Sequence, residues 1–462
     1  MTADTTRSRH SPGDRRLLKY HHNTLQPSHT MGNEGSSFQP HAGISKSELE
    51  ALKRSFPATP ATSLWKPWTD VFLPNEIAQI EGILKKREKE VSFQSYQQLY
   101  GDVGKGSTDK RIEFLVRLTG TPSVTPTSSS LTWLQAFKIL AAAFCSCSSS
   151  AFANTTEEEV ERFAVSLIHD LIHRNEKRKN TFQQEYSHTE VEISQVENIF
   201  INTPIIEEML DKVMSSCFQV KTRPSQSPLL PSIPSDSTTS LSLLQATFLN
   251  SHLPFHLRTS WRPLFNSHVD GESFSKLAGS ITKQGPTLLI IWDKAGNVFG
   301  GFATESWRPN PKFVGKSESF LFHLRPEMNI YHSTPFNTNY QYFNLKQKTL
   351  PNGLGMGGQL DYFGLWVDSE FGLVKTSPSC STYHSPQLGD LEGKIDKIEV
   401  FGVGELKQDD EELGASVLDM DPEAQAVMEM MGKTFHSKVI REVDDDQERK
   451  KELEKKFNES KN

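Results

Sequence analysis

The sequence predicts an α+β protein: a helical N-terminal region, then a β-sandwich with peripheral helices, then one C-terminal helix. Two patterns and the break between them carry this reading. Up to about residue 218, apolar residues recur at helical spacing. In Glu157–Ile172, for example, Val160, Phe163, Ala164, Leu167, Ile168 and Leu171 share one face opposite charge. From 241 to 405 the pattern changes to short β-branched and aromatic runs divided by turn residues. Between them, Lys221–Ser240 (KTRPSQSPLLPSIPSDSTTS) has the Pro/Ser composition of an extended, poorly packed linker.

Residues 1–30 hold Arg7, Arg9, Arg15, Arg16 and Lys19 against Asp4 and Asp14, with no hydrophobic period, and read as a disordered extension. A mitochondrial transit peptide is the alternative, but it lacks an apolar face, and no secretory h-region is present, so the chain is expected to face the cytosol. Met31-Gly32-Asn33-Glu34-Gly35-Ser36 fits the myristoylation pattern, placing the lipid on Gly32 if translation starts at Met31.

The helical region spans 31–220. Leu131–Cys147 is its most apolar run; interrupted by Gln135 and Lys138 and too short for a bilayer, it reads as a buried helix. Val196–Phe218 reads as another, and the Ser/Thr-rich strips at 120–130 and 146–150 as loops. No full copy of the calcium-loop pattern D-x-[DN]-x-[DN]-G-x5-E occurs. His169 and His173 stand at i, i+4 without a third ligand, which makes them surface histidines rather than a metal site.

Within the β region, Thr287–Asp293 and Asn297–Ala303 form a hairpin about Lys294-Ala295-Gly296. Further strands are expected at Ser319–Leu324, Met328–Ser333, Tyr362–Asp368 and Ile395–Val403, with helices at Ser242–Leu249 and Glu272–Ser280 packing on them. Many short strands and few helices make a sandwich. Leu350–Asp368 (LPNGLGMGGQLDYFGLWVD) is the most distinctive stretch. Gly353, Gly355, Gly357, Gly358 and Gly364 crowd together beside an aromatic run containing Tyr362 and Trp366. A phosphate-binding loop needs a strand before its glycines and a helix after them, and neither is present. The glycines instead predict a tight backbone crossing that feeds a buried strand.

These residues resemble the signature of the TLDc domain. SWRPLFNSHVDGESFSKL at 260–277, FGGFATESW at 299–307, CSTYHSP at 380–386 and KIEVFGVG at 397–404 agree with it in order. The resemblance implies the sandwich, the EF-hand-like region before it, engagement of the vacuolar proton pump (V-ATPase) and a link to oxidative-stress resistance. SVLDMDPEAQAVMEM, after the domain, resembles a member of the family tied to mTOR signalling at the lysosome. A non-enzymatic regulatory protein of the cytoplasm and of the cytosolic face of the lysosomal membrane is therefore expected, with V-ATPase and mTOR components as partners.

Composition narrows the function further. The net charge is −7, and Lys and Arg are scattered rather than gathered into a stripe, which excludes a nucleic-acid binder. Four cysteines (Cys145, Cys147, Cys217, Cys380) show no disulfide framework or zinc spacing. No G-x-S-x-G, Walker or HExxH motif occurs, and no cofactor is implied. The rival reading is an enzyme protecting against oxidative stress through Cys380, with His384 nearby in sequence; packing as a small hydrophobe is the alternative for that thiol. Beyond 405, the acidic spacer Asp409–Glu412 leads to a helix capped by Asp421 and Pro422. Its stripe of Met420, Ala424, Val427, Met428 and Met431 either docks on its own domain or anchors a partner; the charged spacer favours the partner.

Overall fold

The computed structural model describes residues 43–56, 66–85, 91–123, 125–148, 152–172, 189–220, 228–235, 237–385 and 388–406. The expectations for Gly32, His173 and the stripe Met420–Met431 lie outside the described residues.

The helices begin where side chains can satisfy their free N–H groups. Helix α1 (Lys46–Ser55) starts with a reciprocal Ser45/Glu48 capping box. It is followed by α2 (Lys66–Thr69), α3 (Pro74–Lys85), α4 (Phe93–Gly104) and α5 (Thr108–Leu118). Strand β1 (Thr127–Ser129) leads into α6 (Ser130–Ser146), the buried apolar helix, in which Trp133, Phe137, Leu140 and Phe144 face the core. Helix α7 (Glu157–Ile172) opens on three glutamates, suited to the positive end of a helix. Strand β2 (Glu190–Glu192), α8 (Ile193–Asn202) and α9 (Pro204–Phe218) complete the region. The single helix expected over Val196–Phe218 is two: Thr203 leaves helical geometry, as a residue before proline tends to, and Pro204 starts α9.

Strand β1 pairs antiparallel with β2, so the strip at 120–130 is not all loop. Helix–loop–helix units α5–α6 and α7–α8, bridged by this ribbon, have the layout of an EF-hand pair. Residues 119–134 contain no Asp or Glu, so the first loop lacks the carboxylates that calcium requires. Among the described residues no group of three or more His, Cys, Asp or Glu is placed to hold a metal. His169 is buried on α7 rather than at the surface, because α7 turns that face toward the core.

The β region starts with α10 (Leu243–His252), capped by Ser242 and Gln245. It continues with β3 (Trp261–Asn266), α11 (Ser267–Asp270), α12 (Phe274–Ile281), β4 (Thr287–Asp293), β5 (Val298–Ala303) and β6 (Asn310–Val314). Then come β7 (Phe320–Arg325), β8 (Asn329–His332), β9 (Gln341–Asn344), β10 (Gly353–Gln359), β11 (Tyr362–Asp368), β12 (Leu373–Thr376) and β13 (Glu392–Val403). Eleven strands form one hydrogen-bonded sheet: ten follow the order β6-β9-β10-β11-β12-β13-β4-β5-β7-β8, and β3 pairs with β13 off that path. The long β13 joins the two halves: Glu392–Lys394 pair with β12, whereas Ile395–Gly402 pair with β4 across an irregularity at Ile395/Lys397. The halves fold over one core, in which Leu289, Ile291, Phe299 and Leu321 meet Leu354, Met356, Leu365 and Val367. The sandwich is therefore present, closed by a shared strand.

The opposite face of β4-β5-β7 is also apolar. Leu288, Ile290, Phe302, Phe320 and Phe322 belong to the same core cluster as α6, α7, α9 and α10. Helical and β regions thus share a core rather than hanging on a loose linker. Residues 228–235 are packed: Pro231 is buried, and Ser232 bridges Thr259 and Trp261 through backbone hydrogen bonds of 3.0 and 2.9 Å. Glu159 caps α7 through Thr156 and also accepts from Arg325 of β7 at 2.9 Å. Farther along, buried Lys397 and Glu399 pair at 2.8 Å, Lys397 lies 4.2 Å from the Trp292 ring centre, and Glu399 accepts from Thr239 and Ser240.

Burial sets the pH response. It depresses His323, which lies against Phe299, from 6.5 to about 4, although Asp293 pulls the other way. His252 on α10 is lowered to about 4 for the same reason. The native state therefore takes up these protons later than the unfolded chain, and stability present above pH 6.5 is lost as pH falls toward 4. Glu48 acts lower: burial raises it, but Lys105, Ser45 and Tyr100 outweigh that and hold it at about 2. Melting temperature should thus fall between pH 7 and pH 5, and His323→Gln should flatten part of that slope. An unchanged slope in the variant would show that His323 titrates normally in the fold.

Candidate interaction site

The glycine run is itself a strand, β10, rather than only a crossing before one, and it pairs with β11 in a hairpin turning at Leu360-Asp361. On one side of β10 lies an aromatic layer of Phe313, Tyr342, Phe363 and Trp366. Phe363 and Trp366 stack with ring centres 4.3 Å apart. A Cβ on Gly355 would fall 2.6 Å from the Phe363 ring, and one on Gly353 would fall 2.5 Å from Trp366. The rings therefore lie directly on bare backbone. On the other side, a Cβ on Gly357 or Gly364 would meet the Cys380 sulfur at 2.6 or 2.8 Å. Gly357 and Gly358 also have φ of +71° and +85°, where any side chain is strained.

This packing draws three loops together at the tip of the β10–β11 hairpin. The Thr382 hydroxyl accepts from the Gly358 N–H at 2.8 Å and donates to Asn337 Oδ1 at 2.7 Å. Asn339 donates to the Gly358 carbonyl at 2.8 Å, and Asn337 to the Ser381 hydroxyl at 3.0 Å. The backbone N–H of Thr334 bonds the Thr382 carbonyl at 2.7 Å. Beneath, buried Tyr383 donates to the Tyr340 carbonyl at 2.9 Å and contacts Ser319 at 3.0 Å. Buried polar groups so fully satisfied hold a loop in one shape.

Large apolar side chains stand out to solvent around this network: Phe336 is 81% exposed, Tyr362 46% and Leu360 38%. Tyr362 is therefore not part of the aromatic layer formed by its neighbours. Exposed apolar side chains on a fixed base are the ordinary material of a protein–protein contact. Cys380 serves the base: it is buried, and burial pushes its thiol up despite N–H groups of Tyr383, Thr382 and Gly358. Little nucleophilic thiolate forms in such surroundings. The glycines and CSTYHSP are legible in the sequence as a unit, but Thr334, Phe336, Asn337 and Asn339 carry no motif. Their signal was a lone Phe in a Thr/Asn/Pro-rich turn, STPFNTN.

Gly355→Ala should cost about 1–3 kcal/mol, because the ring stack must shift to admit the methyl group. Gly82→Ala, inside α3 with nothing within 4 Å, should instead raise stability. Thermal melting of both variants checks this; equal effects would remove the close-packing account.

The comparisons with known proteins agree with this layout. The chain is 48% identical over 205 residues to MTOR-associated protein MEAK7 of Gallus gallus, covering 44% of each chain. It is 46% identical over 211 residues to the Homo sapiens protein of that name, covering 45% of this chain and 46% of the relative. A 136-residue stretch is 31% identical to nuclear receptor coactivator 7 of Gallus gallus, covering 29% of this chain and 14% of that one. The matched stretch spans less than half the length of these curated relatives. Residues 235–404 match the TLDc domain family model, and all eleven strands of the large sheet fall within them.

Proposed function

We propose that this chain is a non-enzymatic regulatory protein of mTOR signalling that works by binding partners through its TLDc-matched region. The observation that carries this is the 46–48% identity to proteins named as MTOR-associated. The exposed Phe336, Leu360 and Tyr362 on their hydrogen-bonded base supply a surface suited to the task. In its finer form the proposal makes the V-ATPase a partner at the cytosolic face of the lysosomal membrane. The stripe Met420, Ala424, Val427, Met428 and Met431 then serves as a second anchor, and a myristoyl group on Gly32 as a membrane tether.

The double change Phe336→Asp and Tyr362→Asp should abolish co-purification with mTOR and V-ATPase subunits while leaving the melting temperature unchanged. Thr382→Val is the contrasting variant: it leaves the Gly358 N–H unpaired and should lower stability by about 1–3 kcal/mol. If both partners are recovered with the double variant at the level of the parent, the surface is not the contact.

One myristoyl chain gives only marginal, reversible attachment, so a protein contact must supplement it. In a chain beginning at Met31, Gly32→Ala should release much of the membrane-bound protein to the soluble fraction. Unchanged fractionation, or mass spectrometry finding an intact Met1 start in cells, removes the lipid from the proposal.

A further inference from the structure

The chain leaves the described fold at the same end of the sandwich as the β10–β11 tip. A Cβ on Gly285 would fall 3.7 Å from the Leu406 side chain, just past β13, and the Gly285 N–H donates to the Ser306 hydroxyl at 2.9 Å. Neighbouring Glu305 bonds the Gln341 side chain through its N–H and its carbonyl, at 3.2 and 3.0 Å. From there the Tyr340 carbonyl accepts from the Gly357 N–H at 3.2 Å, and Asn339 reaches the Gly358 carbonyl. Counting each step as one strand spacing of about 5 Å, Leu406 stands roughly 25 Å from Tyr362.

Residues 407–419 lie between Leu406 and Met420, and a stretch of that length spans at most about 45 Å. The stripe Met420, Ala424, Val427, Met428 and Met431 is therefore tethered within reach of Phe336, Leu360 and Tyr362. Charge follows the same route. Asp409, Asp410, Glu411 and Glu412 open the tether. Beside its start, Lys283 is exposed, and Arg262 donates to oxygens of Gln284 and Gly404 but enters no ion pair among the described residues. The tip itself is nearly uncharged: residues 334–339, 358–362 and 380–385 contain one acid, Asp361, and no Lys or Arg. Exposed apolar side chains in such surroundings match an uncharged methionine face, whose sulfur atoms also pack well on aromatic rings.

We propose that the stripe Met420–Met431 lies on Phe336, Leu360 and Tyr362 in the free protein and is displaced when a partner takes that surface. The inference rests on the partner role proposed above for these side chains, and adds that the chain's own segment occupies them beforehand. A tethered segment acts at an effective concentration in the millimolar range, so a weak contact is enough to hold it. A partner then binds only the uncovered fraction, and its apparent affinity falls in proportion. Displacement frees the stripe for its use as a second anchor.

Photocrosslinking of the full chain, with Phe336 replaced by p-benzoylphenylalanine, tests the contact directly. The monomer should crosslink within itself to residues 420–431, and the double change Val427→Asp and Met431→Asp should remove that product. Hydrogen exchange gives a second readout without the probe: the amides of residues 424–431 should exchange at least about tenfold faster in the Phe336→Asp, Tyr362→Asp variant than in the parent. Crosslinks only to a second copy, crosslinks only elsewhere in the chain, or equal exchange in parent and variant overturn the proposal. Its failure is separable from that of the partner role. If the Phe336→Asp, Tyr362→Asp variant loses its partners but no crosslink to 420–431 forms, the partner surface stands and the self-contact is overturned. If the crosslink forms but that variant keeps its partners, the self-contact stands and the partner role is overturned.

Discussion

The bare backbone of β10 is the constraint on which the β region depends. Strands ordinarily carry a side chain on each face, which keeps neighbouring layers at a fixed distance. At Gly353 and Gly355 that spacing is removed, and Trp366 and Phe363 settle on the strand itself. At Gly357, and at Gly364 of the neighbouring β11, it is removed on the other face, and Cys380 and Tyr383 come in. A similar close approach occurs across the sandwich, where Gly301 leaves room for Met356. Glycine strands are conformationally loose by themselves. Here the aromatic layer and the Thr382 network supply the order that the glycines cannot.

A second constraint follows from the two-faced sheet. A sandwich can leave its outer faces to solvent if they alternate polar and apolar residues. In β4, β5 and β7 they do not: Leu288, Ile290, Phe302, Phe320 and Phe322 face outward and are buried by the helical region. The helical region therefore completes the domain. Glu159 belongs to both parts, since it caps α7 and receives Arg325. In the EF-hand-like layout the first loop carries no calcium carboxylates, and the β1–β2 ribbon and the buried face of α6 hold the units together.

The fold was legible in the sequence wherever one period ran long enough. Glu157–Ile172, Thr287–Asp293 and Tyr362–Asp368 stand as expected because face-specific burial leaves an unambiguous pattern. β3, β6, β9 and β12 were missed, being four to six residues long, and β3 and β6 carry prolines that mimic turn signals. From sequence β10 looks like a crossing rather than a strand, because glycine carries no period at all. The linker expected at 221–240 looked loose by composition, yet Pro231 is buried and Ser232 hydrogen-bonded in the described part. Composition reports what a segment can do alone, not what surface lies beside it. The candidate site divides the same way: its base was visible as a motif, whereas its exposed edge, Phe336, was one aromatic residue in a polar turn.

That division bears on how a signature of this kind relates to function. Gly353, Gly355, Gly357, Gly358, Gly364 and Trp366 all act by packing, and Cys380 is held protonated within the same packing. A match to these residues therefore identifies a scaffold able to hold the loops at 334–339, 358–362 and 380–385 in fixed relation. Partner choice falls to what the scaffold leaves outside. Phe336, Leu360 and Tyr362 contribute little to the core, so the fold places few demands on their identity. Under the proposed partner role, a change at Phe336 would alter binding without disturbing the domain, whereas a change at Gly355 would disturb the domain itself.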